Sequence, residues 1–447
     1  MSCSNNWHTL FLVASLFLWQ TCLCDDGVYA WRKGASVVVM NEQLFIHGGI
    51  SSKPKRLWSD GWAIENQTFA IPLGRSWVKS EIDMAQFANE NAMYKNISAD
   101  NPSMWTKDDK QIIFWGGAGS FGRANLAATS PRPWTYTPSG SSGQYGTVEQ
   151  AASQRPTDKT TQDPLYRTGG GSWTQCNGLG FYMGGFIGSA TDGGFPHRLN
   201  GTGQRALTGL LIYDIAGGTW RNRTTQGSGF GGGRMEGTHV SGQAVCLPTL
   251  GKDGKGIVLF LAGYHGTWEN RFTREFVRTD QITFYDIGSD TFHTQRTTGT
   301  APKQREQPCA VAAKAKNSNT YEVVLFGGSG ATPADTYILA VPGFEWFPVA
   351  PVAGGMSLAD EGRRDHACAV VGKGGRQMLA VGGSEAKDSV NDVWKRRDPW
   401  GDNSMHIFDM TDLKWKPDYA HDAADYQQPA MVRSWYKKLR PQERHME

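Results

Sequence analysis

Short apolar runs that end in a glycine pair, or a near copy of one, recur along the whole chain. Segments such as LFIHGG and VVLFGG end at Gly49, Gly117, Gly185, Gly263, Gly328 and Gly383. Successive ends are 68, 68, 78, 65 and 55 residues apart, which is room for four strands and variable loops. Glycine allows a strand end to turn through backbone angles that other residues avoid. The pattern predicts six repeated β-units.

A second pattern follows each apolar run. An aromatic residue precedes Asp, and a large aromatic follows seven residues after the first: Tyr213 with Trp220, Tyr285 with Phe292, and Phe408 with Trp415. Looser versions place Trp77, Trp134 and Trp346 at the same stage. One such unit cannot bury both its faces, so the units are expected to close into a ring. The fold class predicted is all-β, a single six-bladed β-propeller.

The repeat resembles the kelch family, which is also seen in the central domain of galactose oxidase. The unit nearest the family pattern runs from Arg363-Arg364-Asp365-His366 through MLAVGG and MHIFDM to Trp415, in the order Arg-x-x-His, Gly-Gly, aromatic-Asp, Trp. The resemblance covers about Trp31 to Asp418. We therefore divide the chain into a signal peptide (1–24), a six-bladed kelch propeller (25–420) and a C-terminal tail (421–447).

The tail has two interpretations. Tyr426-Gln427-Gln428-Pro429-Ala430-Met431-Val432 is similar to a Tyr-x-x-Pro-x-x-Val segment that follows the last blade in fungal secreted kelch proteins. It either lends a closing strand to the first blade or forms a disordered tail.

Composition limits the choice of partners. The chain has 55 Gly and 17 Trp with only 19% charged residues, which is typical of many short strands joined by glycine turns. The formal net charge is +3, from 45 basic and 42 acidic residues without a basic patch, so nucleic-acid binding has no electrostatic support. No stretch reaches eighteen apolar residues, which argues against a transmembrane segment. We expect a monomer.

The N-terminus predicts secretion. Leu10–Trp19 is a ten-residue apolar run followed by small or polar residues, as in a signal peptide, although no Lys or Arg precedes it. Asn-x-Ser/Thr acceptor sites for N-linked glycans occur at Asn66, Asn96, Asn200 and Asn222. Together they predict a glycoprotein that is secreted or resides in the lumen of the secretory pathway.

Four cysteines remain after removal of the signal peptide: Cys176, Cys246, Cys309 and Cys368, one in each of four successive repeats. Equivalent positions in neighbouring blades are expected to be too far apart for a disulfide, which needs Cα atoms within about 7 Å. Small buried hydrophobic side chains are the favoured interpretation, with one or two disulfides as the alternative.

Residues just before each first strand are expected to converge at one rim of the central channel. Placing the repeats in phase selects Trp31, Arg32, Trp105, Trp173, Glu236, His239, Arg305, Glu306, Gln307, Arg364, Asp365 and His366. The alternative is structural: the imidazoles bond neighbouring loop carbonyls, and Arg305-Glu306 and Arg364-Asp365 form ion pairs between blades.

Metal chemistry finds little support in the sequence. A copper radical site like that of galactose oxidase needs two Tyr, two His and a Cys, whereas Tyr264-His265 supplies one adjacent pair. The iron pattern Glu-x-x-x-Asp-x-x-x-His of plant specifier kelch proteins matches at Glu361 and Asp365, but Ala369 stands where His is needed. No zinc spacing occurs. We expect no cofactor and no metal.

Secreted, glycosylated kelch propellers of fungal type without metal ligands are similar to a group of enzymes in secondary metabolism. These join a tropolone quinone methide to a humulene-type sesquiterpene by an intermolecular hetero-Diels-Alder reaction. The resemblance implies apolar small-molecule substrates that are held in register and desolvated. Trp105, Phe121 and Trp173 would pack the terpene, beside Glu236, His239 and Tyr264.

The polar roles follow from placement at the rim and from chemical type. Arg305, Arg364 or His366 would donate a hydrogen bond to the carbonyl oxygen, and Glu306 or Asp365 would assist the loss of water that creates the quinone methide. The rival hypothesis is a non-catalytic propeller that binds a glycan or cell-wall component through the same tryptophans. An oxidase like galactose oxidase is a third and weaker alternative.

Overall fold

Six four-stranded antiparallel sheets follow one another along the chain in the computed structural model. The structure describes residues 31–52, 63–64, 67–82, 84, 88–89, 99–119, 132–139, 145–151, 155–192, 204–330, 335–350, 362–385, 398–401 and 403–438. The sheets are arranged in a ring as a six-bladed β-propeller, which confirms the predicted fold class. The innermost strands of neighbouring blades contact one another around the channel.

The strands of each blade run from the channel outward. Blades 1 to 3 comprise Ser36–Met40, Gln43–His47, Thr68–Pro72 and Ala88–Asn89; Ser103–Lys107, Gln111–Trp115, Trp134–Ser139 and Tyr145–Gln150; and Ser172–Cys176, Leu179–Met183, Leu210–Asp214 and Thr219–Arg223. Blades 4 to 6 comprise Gln243–Leu247, Ile257–Leu261, Gln281–Asp286 and Thr291–Arg296; Cys309–Ala313, Tyr321–Phe326, Thr336–Val341 and Glu345–Pro348; and Arg363–Val371, Gln377–Glu385, Met405–Asp409 and Lys414–Lys416.

Smaller elements extend the blades. Short strands beyond the glycine pairs are Ile50–Ser52 with Ala63–Ile64, Phe186–Ile187 with Arg205–Ala206, and Tyr264–Gly266 with Arg274–Phe276. Thr298–Gly299 lies parallel to the outermost strand of blade 5. Single 3₁₀ turns occur at Lys79–Glu81, Gly233–Met235 and Lys252–Gly254, and a helix spans Ala430–Lys438.

The glycine pairs act as the sequence predicts. Both residues of each pair have positive φ, for example 74° and 81° at Gly48 and Gly49. A Cβ atom on Gly49 would lie 2.3 Å from the carbonyl oxygen of Lys33, so no larger residue fits without a shift of the backbone. Blade 4 alone replaces the first glycine, with Ala262 at φ 57°.

The paired aromatics seal the gaps between blades. Tyr213 and Trp220 lie opposite each other on adjacent strands, with ring centroids 4.5 Å apart. Trp220 also contacts Trp115 of the preceding blade, at 4.6 Å. In blade 6, Trp415 contacts Phe326 of blade 5 at 4.7 Å. Burial of these rings against the neighbouring blade is what makes a closed ring more stable than separate sheets.

Two disulfides join the innermost strands of neighbouring blades, which corrects the interpretation of the cysteines as buried hydrophobes. Cys176 of blade 3 bonds Cys246 of blade 4, and Cys309 of blade 5 bonds Cys368 of blade 6. The Cα atoms are 5.5 and 5.8 Å apart. The expected distance was wrong because blades diverge outward but their first strands meet near the axis, within disulfide range.

The ring closes without an exchanged strand in the part of the chain that the structure describes. Trp31–Lys33 pairs with Ile50–Ser52, and Arg32 lies opposite Gly383 of blade 6. A further bridge joins Trp77 to Tyr419. All four strands of blade 6 come from consecutive sequence.

Residues 419–438 fit neither interpretation of the tail. Tyr419 bridges Trp77 beside blade 1, and the residues after it run across blades 6 and 5 and end in the helix Ala430–Lys438. The segment 426–432 therefore does not supply a closing strand to blade 1. Val432 and Tyr436 are four residues apart and buried, as expected for one face of a helix packed on the propeller. The Tyr426 hydroxyl donates to the buried Glu322 carboxylate at 2.8 Å.

The polar, glycine-rich stretch 139–171 is predicted from the sequence to be a long loop, but it contains a strand. Tyr145–Gln150 pairs with Trp134–Ser139 and forms the outermost strand of blade 2. Its residues show no alternating hydrophobic pattern because the strand lies at the outer edge of the blade, in contact with solvent. Among the described helices, none has the length and apolar character needed to cross a membrane.

Candidate functional site

Six residues in left-handed conformation form a ring of backbone at one end of the channel. Five of them stand just before the innermost strand of their blade, and Asp365 lies near the start of that strand in blade 6. Each has φ between 52° and 69°: Gly34, Asn101, Gly170, Ser241, Gln307 and Asp365. Five backbone hydrogen bonds of 2.7 to 3.0 Å link neighbouring members, each N–H donating to the carbonyl of the preceding blade. We call these six residues the mouth ring. It fixes how closely the six innermost strands approach.

Buried donors two residues before the mouth ring hold the glycine pairs. Arg32 donates to Gly48 O at 3.1 Å, and Arg305 donates to Gly327 O at 3.1 Å. In blade 3 the donor is the Thr168 hydroxyl, to Gly184 O at 2.7 Å. In blade 6 it is Arg363, to Gly383 O at 3.3 Å. The same position serves the same structural purpose in successive blades.

Two blades vary this arrangement. In blade 4, His239 Nε2 pairs with Ala262 O at 3.0 Å, and its Nδ1 lies 3.1 Å from the Ser172 hydroxyl. In blade 2 the position is Ala99, and Arg167 from the neighbouring segment instead donates to Gly116 O through Nε at 2.8 Å. Arg305 and His239 are thus fully buried parts of the repeat and do not face the channel.

The channel below the mouth ring holds a cavity of about 280 Å³. Its walls are mostly small apolar side chains of the innermost strands: Ala35, Val37, Ala244, Val245, Val311 and Val370. Cys246 and Cys368, one from each disulfide, also line it. A smaller recess of about 50 Å³ lies at the mouth ring. Asn101, Trp173, Gln243 and His366 line both spaces.

Trp173 and His366 are the predicted site residues that reach this cavity. Trp173 is half-buried in the innermost strand of blade 3. His366 is 5% exposed and lies edge-on to Phe326, with ring centroids 5.0 Å apart. Neither imidazole nitrogen makes a hydrogen bond of normal geometry to any residue that the structure describes. A buried polar group without a partner is costly unless a water or ligand satisfies it.

His366 is uncharged at neutral pH. Burial, helped by the nearby Arg363 charge, lowers its pKa to about 3, while the Phe326 carbonyl acts weakly in the opposite direction. A neutral imidazole has one N–H donor and one acceptor nitrogen. His366 therefore offers both kinds of hydrogen bond to a molecule in the cavity.

Charged residues surround the mouth ring. The Asp365 carboxylate accepts a hydrogen bond of 2.9 Å from the Asn101 amide. Burial lowers the pKa of Lys33, while Asp365 and Asp100 oppose that change and Arg364 adds to it. Acidic and basic groups are thus mixed at the entrance to an apolar interior.

Other predicted residues lie away from the cavity. Trp105 is fully buried between blades 2 and 3, where its Nε1 donates to Thr174 O at 3.1 Å and its ring stacks on Tyr213. Trp31 is also fully buried, beneath the Arg363 guanidinium at 4.7 Å. The expectation that Trp105 walls the channel was wrong because period-two alternation does not reveal which face of an innermost strand meets the next blade.

Glu306 and Tyr264 belong to a separate cluster with the blade 4 hairpin. Arg274 donates to both Glu306 carboxylate oxygens at 2.9 and 2.8 Å. Arg271 donates to the Tyr264 hydroxyl at 2.9 Å. Glu236 is exposed and accepts from the Gly227 amide at 2.9 Å. These contacts occupy Glu306 and leave Glu236 outside the channel.

Tyr264 and His265 do not form a joint metal site. They are neighbours on one strand, so their side chains point to opposite faces. No group of three or more His, Cys, Asp or Glu side chains suited to a metal ion occurs in the described ranges.

Several predicted residues lie outside the described residues: the signal peptide, Phe121, Glu361, and the acceptor sites Asn66, Asn96 and Asn200. Asn222 is described and is exposed on the outermost strand of blade 3. The site residues that the sequence missed are Arg363 and four members of the mouth ring, Gly34, Asn101, Gly170 and Ser241. The available signal was an Arg two residues before Gly34, Gln307 and Asp365. A second signal was Gly, Asn or Asp, which tolerate positive φ, at four of the six ring positions.

Comparison with known proteins supports the repeat. No known family profile matches the chain. A kelch repeat-containing protein of Arthroderma benhamiae is 25% identical over 421 residues, covering 87% of this chain and 57% of that protein. A solved structure titled "Structure of YjhT" covers 86% of this chain and 97% of its own, with 11% identity and a TM-score of 0.47. The chain thus spans little more than half the length of its curated relative.

Fold and channel together define a six-bladed β-propeller with a cavity on its axis. With the glycine pairs and this relative, the chain is of the kelch type, as its repeats predict.

Proposed function

We propose that this propeller is a secreted, cofactor-independent pericyclase that acts at the mouth of its channel. It joins a tropolone quinone methide to a humulene-type sesquiterpene by a hetero-Diels-Alder reaction. The two molecules combine without loss of atoms, and one C–C bond and one C–O bond form. Such a reaction is accelerated when apolar reactants are held in register away from water.

The observation that carries the proposal is the apolar cavity beneath a polar mouth. Small aliphatic side chains give the sesquiterpene a nonpolar space of about 280 Å³, and Trp173 provides a flat wall at the entrance. The quinone methide would lie at the mouth ring, where amide groups and His366 surround the recess. Ligand sites are commonly apolar cavities with a few placed polar groups.

The contacts of the predicted residues reduce the number of side chains that can act in the reaction. His366 donates from its neutral imidazole to the carbonyl oxygen of the quinone methide, since its nitrogens have no other partner among the described residues. Arg305 and Glu306 are excluded from these roles because each is engaged in bonds within the fold. Asp365 accepts the ring hydroxyl proton and passes it to the departing hydroxyl group, so that the C–O bond breaks and the precursor loses one water.

The cysteine pairs support the secretory part of the proposal. Disulfides form and persist mainly in oxidising compartments. Two of them join adjacent blades here, and the exposed Asn222 acceptor site suits a glycan.

The test is incubation of the purified full chain with the quinone methide precursor and the sesquiterpene. We expect faster product formation and one preferred stereoisomer compared with buffer. His366→Phe should lower kcat by about tenfold, the effect of losing about 1.4 kcal/mol from one hydrogen bond in the transition state. His366→Gln, which keeps a donor, should retain more activity.

His293→Phe is the matched control, because His293 is exposed on the outermost strand of blade 4. This variant should give the same rate and the same isomer ratio as the unchanged protein. Equal rates and isomer ratios with and without protein would exclude the pericyclase.

Glycan binding is a second candidate, supported by a different surface. Trp268 and Phe272 are 45% and 50% exposed on the hairpin that follows the second strand of blade 4. Arg205 lies behind the Trp268 ring at 4.8 Å, which holds the ring as a stacking surface. Thr267 and Asn270 fix the turn through hydrogen bonds of 3.0 and 3.1 Å.

A glycan array tests this candidate. Specific oligosaccharides on the array should bind the unchanged chain. Trp268→Ala should abolish this binding, whereas substitution of Trp173, which lines the channel cavity, should not. No retention by any oligosaccharide would remove the candidate.

A further inference from the structure

A second cavity lies in blade 4, apart from the channel. It has a volume of about 290 Å³ and is enclosed by the glycine-rich loop 229–232 and by the hairpin Tyr264–Phe276 with its neighbouring strands. None of the residues that line it lines the channel cavity or the mouth recess. We call it the blade 4 cavity.

Aromatic rings form its apolar walls. Phe230 of the loop is 2% exposed and meets Phe260 of blade 4 edge-on, with ring centroids 5.6 Å apart. Phe276 contributes a third ring. A cavity of about 150 Å³ with such walls is known to accommodate benzene, so the blade 4 cavity has room for about two fused rings.

Its polar lining comprises His265, Glu275, Arg278, Gln281 and Thr283. His265 and Glu275 lie directly opposite each other on the two strands of the hairpin, so their side chains share one face. His265 Nδ1 lies 2.5 Å from Thr238 O, a carbonyl that only accepts, which places the proton on Nδ1. Burial lowers the pKa of His265, so the ring is neutral at pH 7.

The two acceptor groups remain available. His265 is 6% exposed, and its Nε2 has no partner within the part of the chain that the structure describes. The Glu275 carboxylate makes no ion pair with any described residue. The neighbouring Arg278 is held by Asp280 through bonds of 2.9 and 2.6 Å. These two acceptors favour a ligand that donates hydrogen bonds, and the Glu275 carboxylate disfavours an anion.

We propose that the blade 4 cavity is a binding site for a neutral bicyclic aromatic molecule with a hydroxyl group. The rings lie against Phe230, Phe260 and Phe276. The hydroxyl donates to Nε2 of His265, and Glu275 disfavours the deprotonated ligand and carboxylates.

Gly232 provides a way to block the cavity without disturbing the fold. It lines the cavity, its φ is −150°, and a Cβ atom there would meet nothing within 4 Å. Gly232→Phe therefore places a ring at the opening in an ordinary extended conformation. Gln226→Phe adds the same ring to an exposed position of the same segment, outside the cavity lining, and is the matched control.

The experiment titrates the full chain with 2-naphthol, naphthalene and 2-naphthoate and follows binding by calorimetry. We expect 2-naphthol to bind at least tenfold more tightly than the other two. Gly232→Phe should abolish that binding, and His265→Phe should reduce 2-naphthol to the affinity of naphthalene. Gln226→Phe and His366→Phe should leave it unchanged.

Equal affinity for 2-naphthol and naphthalene would overturn the proposed hydrogen bond. Binding that survives both Gly232→Phe and His265→Phe would overturn the site. Loss of 2-naphthol binding in His366→Phe would assign it to the channel, which also overturns the proposal. Circular dichroism of each variant verifies that it is folded.

Discussion

At the scale of single residues, the repeat is held by buried donors to the glycine-pair carbonyls. Arg363 has the most demanding environment of these donors, because it pairs with Asp398 and both side chains are 0% exposed. Its guanidinium also lies 4.0 Å from the Trp400 ring centroid. Removing one partner of a buried ion pair leaves the other charge without compensation.

We expect Arg363→Leu to lower the free energy of unfolding by about 3–5 kcal/mol, because Asp398 would then be buried alone. Urea denaturation of the purified chain measures the change. Arg364→Leu at the next, partly exposed position is the control and should cost less than about 1 kcal/mol. Equal effects of the two substitutions would show that the pair with Asp398 is unimportant.

The sequence located these donors but did not distinguish their roles. Arg305 and His366 both match the rim pattern, yet they stand at different positions relative to the mouth ring, two residues before it and one residue after it. That difference reverses the direction of the side chain. The direction of a side chain depends on its distance in sequence from the left-handed residue of its blade, so it can be predicted only once that residue is known.

At the scale of elements, the glycine pairs predicted where second strands end, and the aromatic-Asp pattern predicted the cross-strand pairs. Loops and contacts between blades were harder to predict from the sequence. Cys309 and Cys368 are 59 residues apart in sequence, and only the convergence of innermost strands brings their Cα atoms to 5.8 Å. Tyr145–Gln150 was missed because this outermost strand pairs with one neighbour and Val148 is the one side chain in it described as buried, too little to impose alternation.

Replacement of both Cys309 and Cys368 by Ala should lower the free energy of unfolding by about 2–4 kcal/mol, since the unfolded chain gains the freedom of an open loop. Thermal unfolding followed by circular dichroism measures the loss. Cys176→Ala with Cys246→Ala is the matched comparison and should have a similar effect, because that loop is of similar length, with a separation of 70 residues. No change in either double variant would contradict the role of these bonds.

At the scale of the whole molecule, three buried histidines, one in blade 4 and two in blade 6, make stability depend on pH. Burial lowers the pKa of His239 and of His366 to about 3, and that of His406 to about 2. Neighbouring positive charge adds to each effect, from Lys79 in the case of His406. The unfolded chain binds these protons near the ordinary value of 6.5, and the folded chain does not.

Stability should therefore be complete above pH 6.5 and fall steadily as the pH is lowered from there toward 3. Each histidine contributes a slope of about 1.4 kcal/mol per pH unit within that window. Urea midpoints at several pH values between 7.5 and 4.5 measure the slope. His239→Gln should reduce it by about one third, while the exposed substitution His293→Gln should leave it unchanged.

The overall ring was predictable because six units in phase leave no other way to bury their faces. Its closure was not predictable from the tail. The bridge between Trp77 and Tyr419, and the pairing of Arg32 with Gly383, depend on residues nearly a whole chain length apart. Local sequence carries no signal for contacts of that separation.

The arrangement of consecutive strands in every blade has a consequence for how the protein is made. A propeller that exchanges a terminal strand must wait for its last residues before its first blade is complete. Here each blade has all its strands once its own segment has left the ribosome, so blades can assemble in order during synthesis. The contacts across the seam between blades 6 and 1, such as those of Arg32 with Gly383 and of Trp77 with Tyr419, form after the last blade has been synthesised.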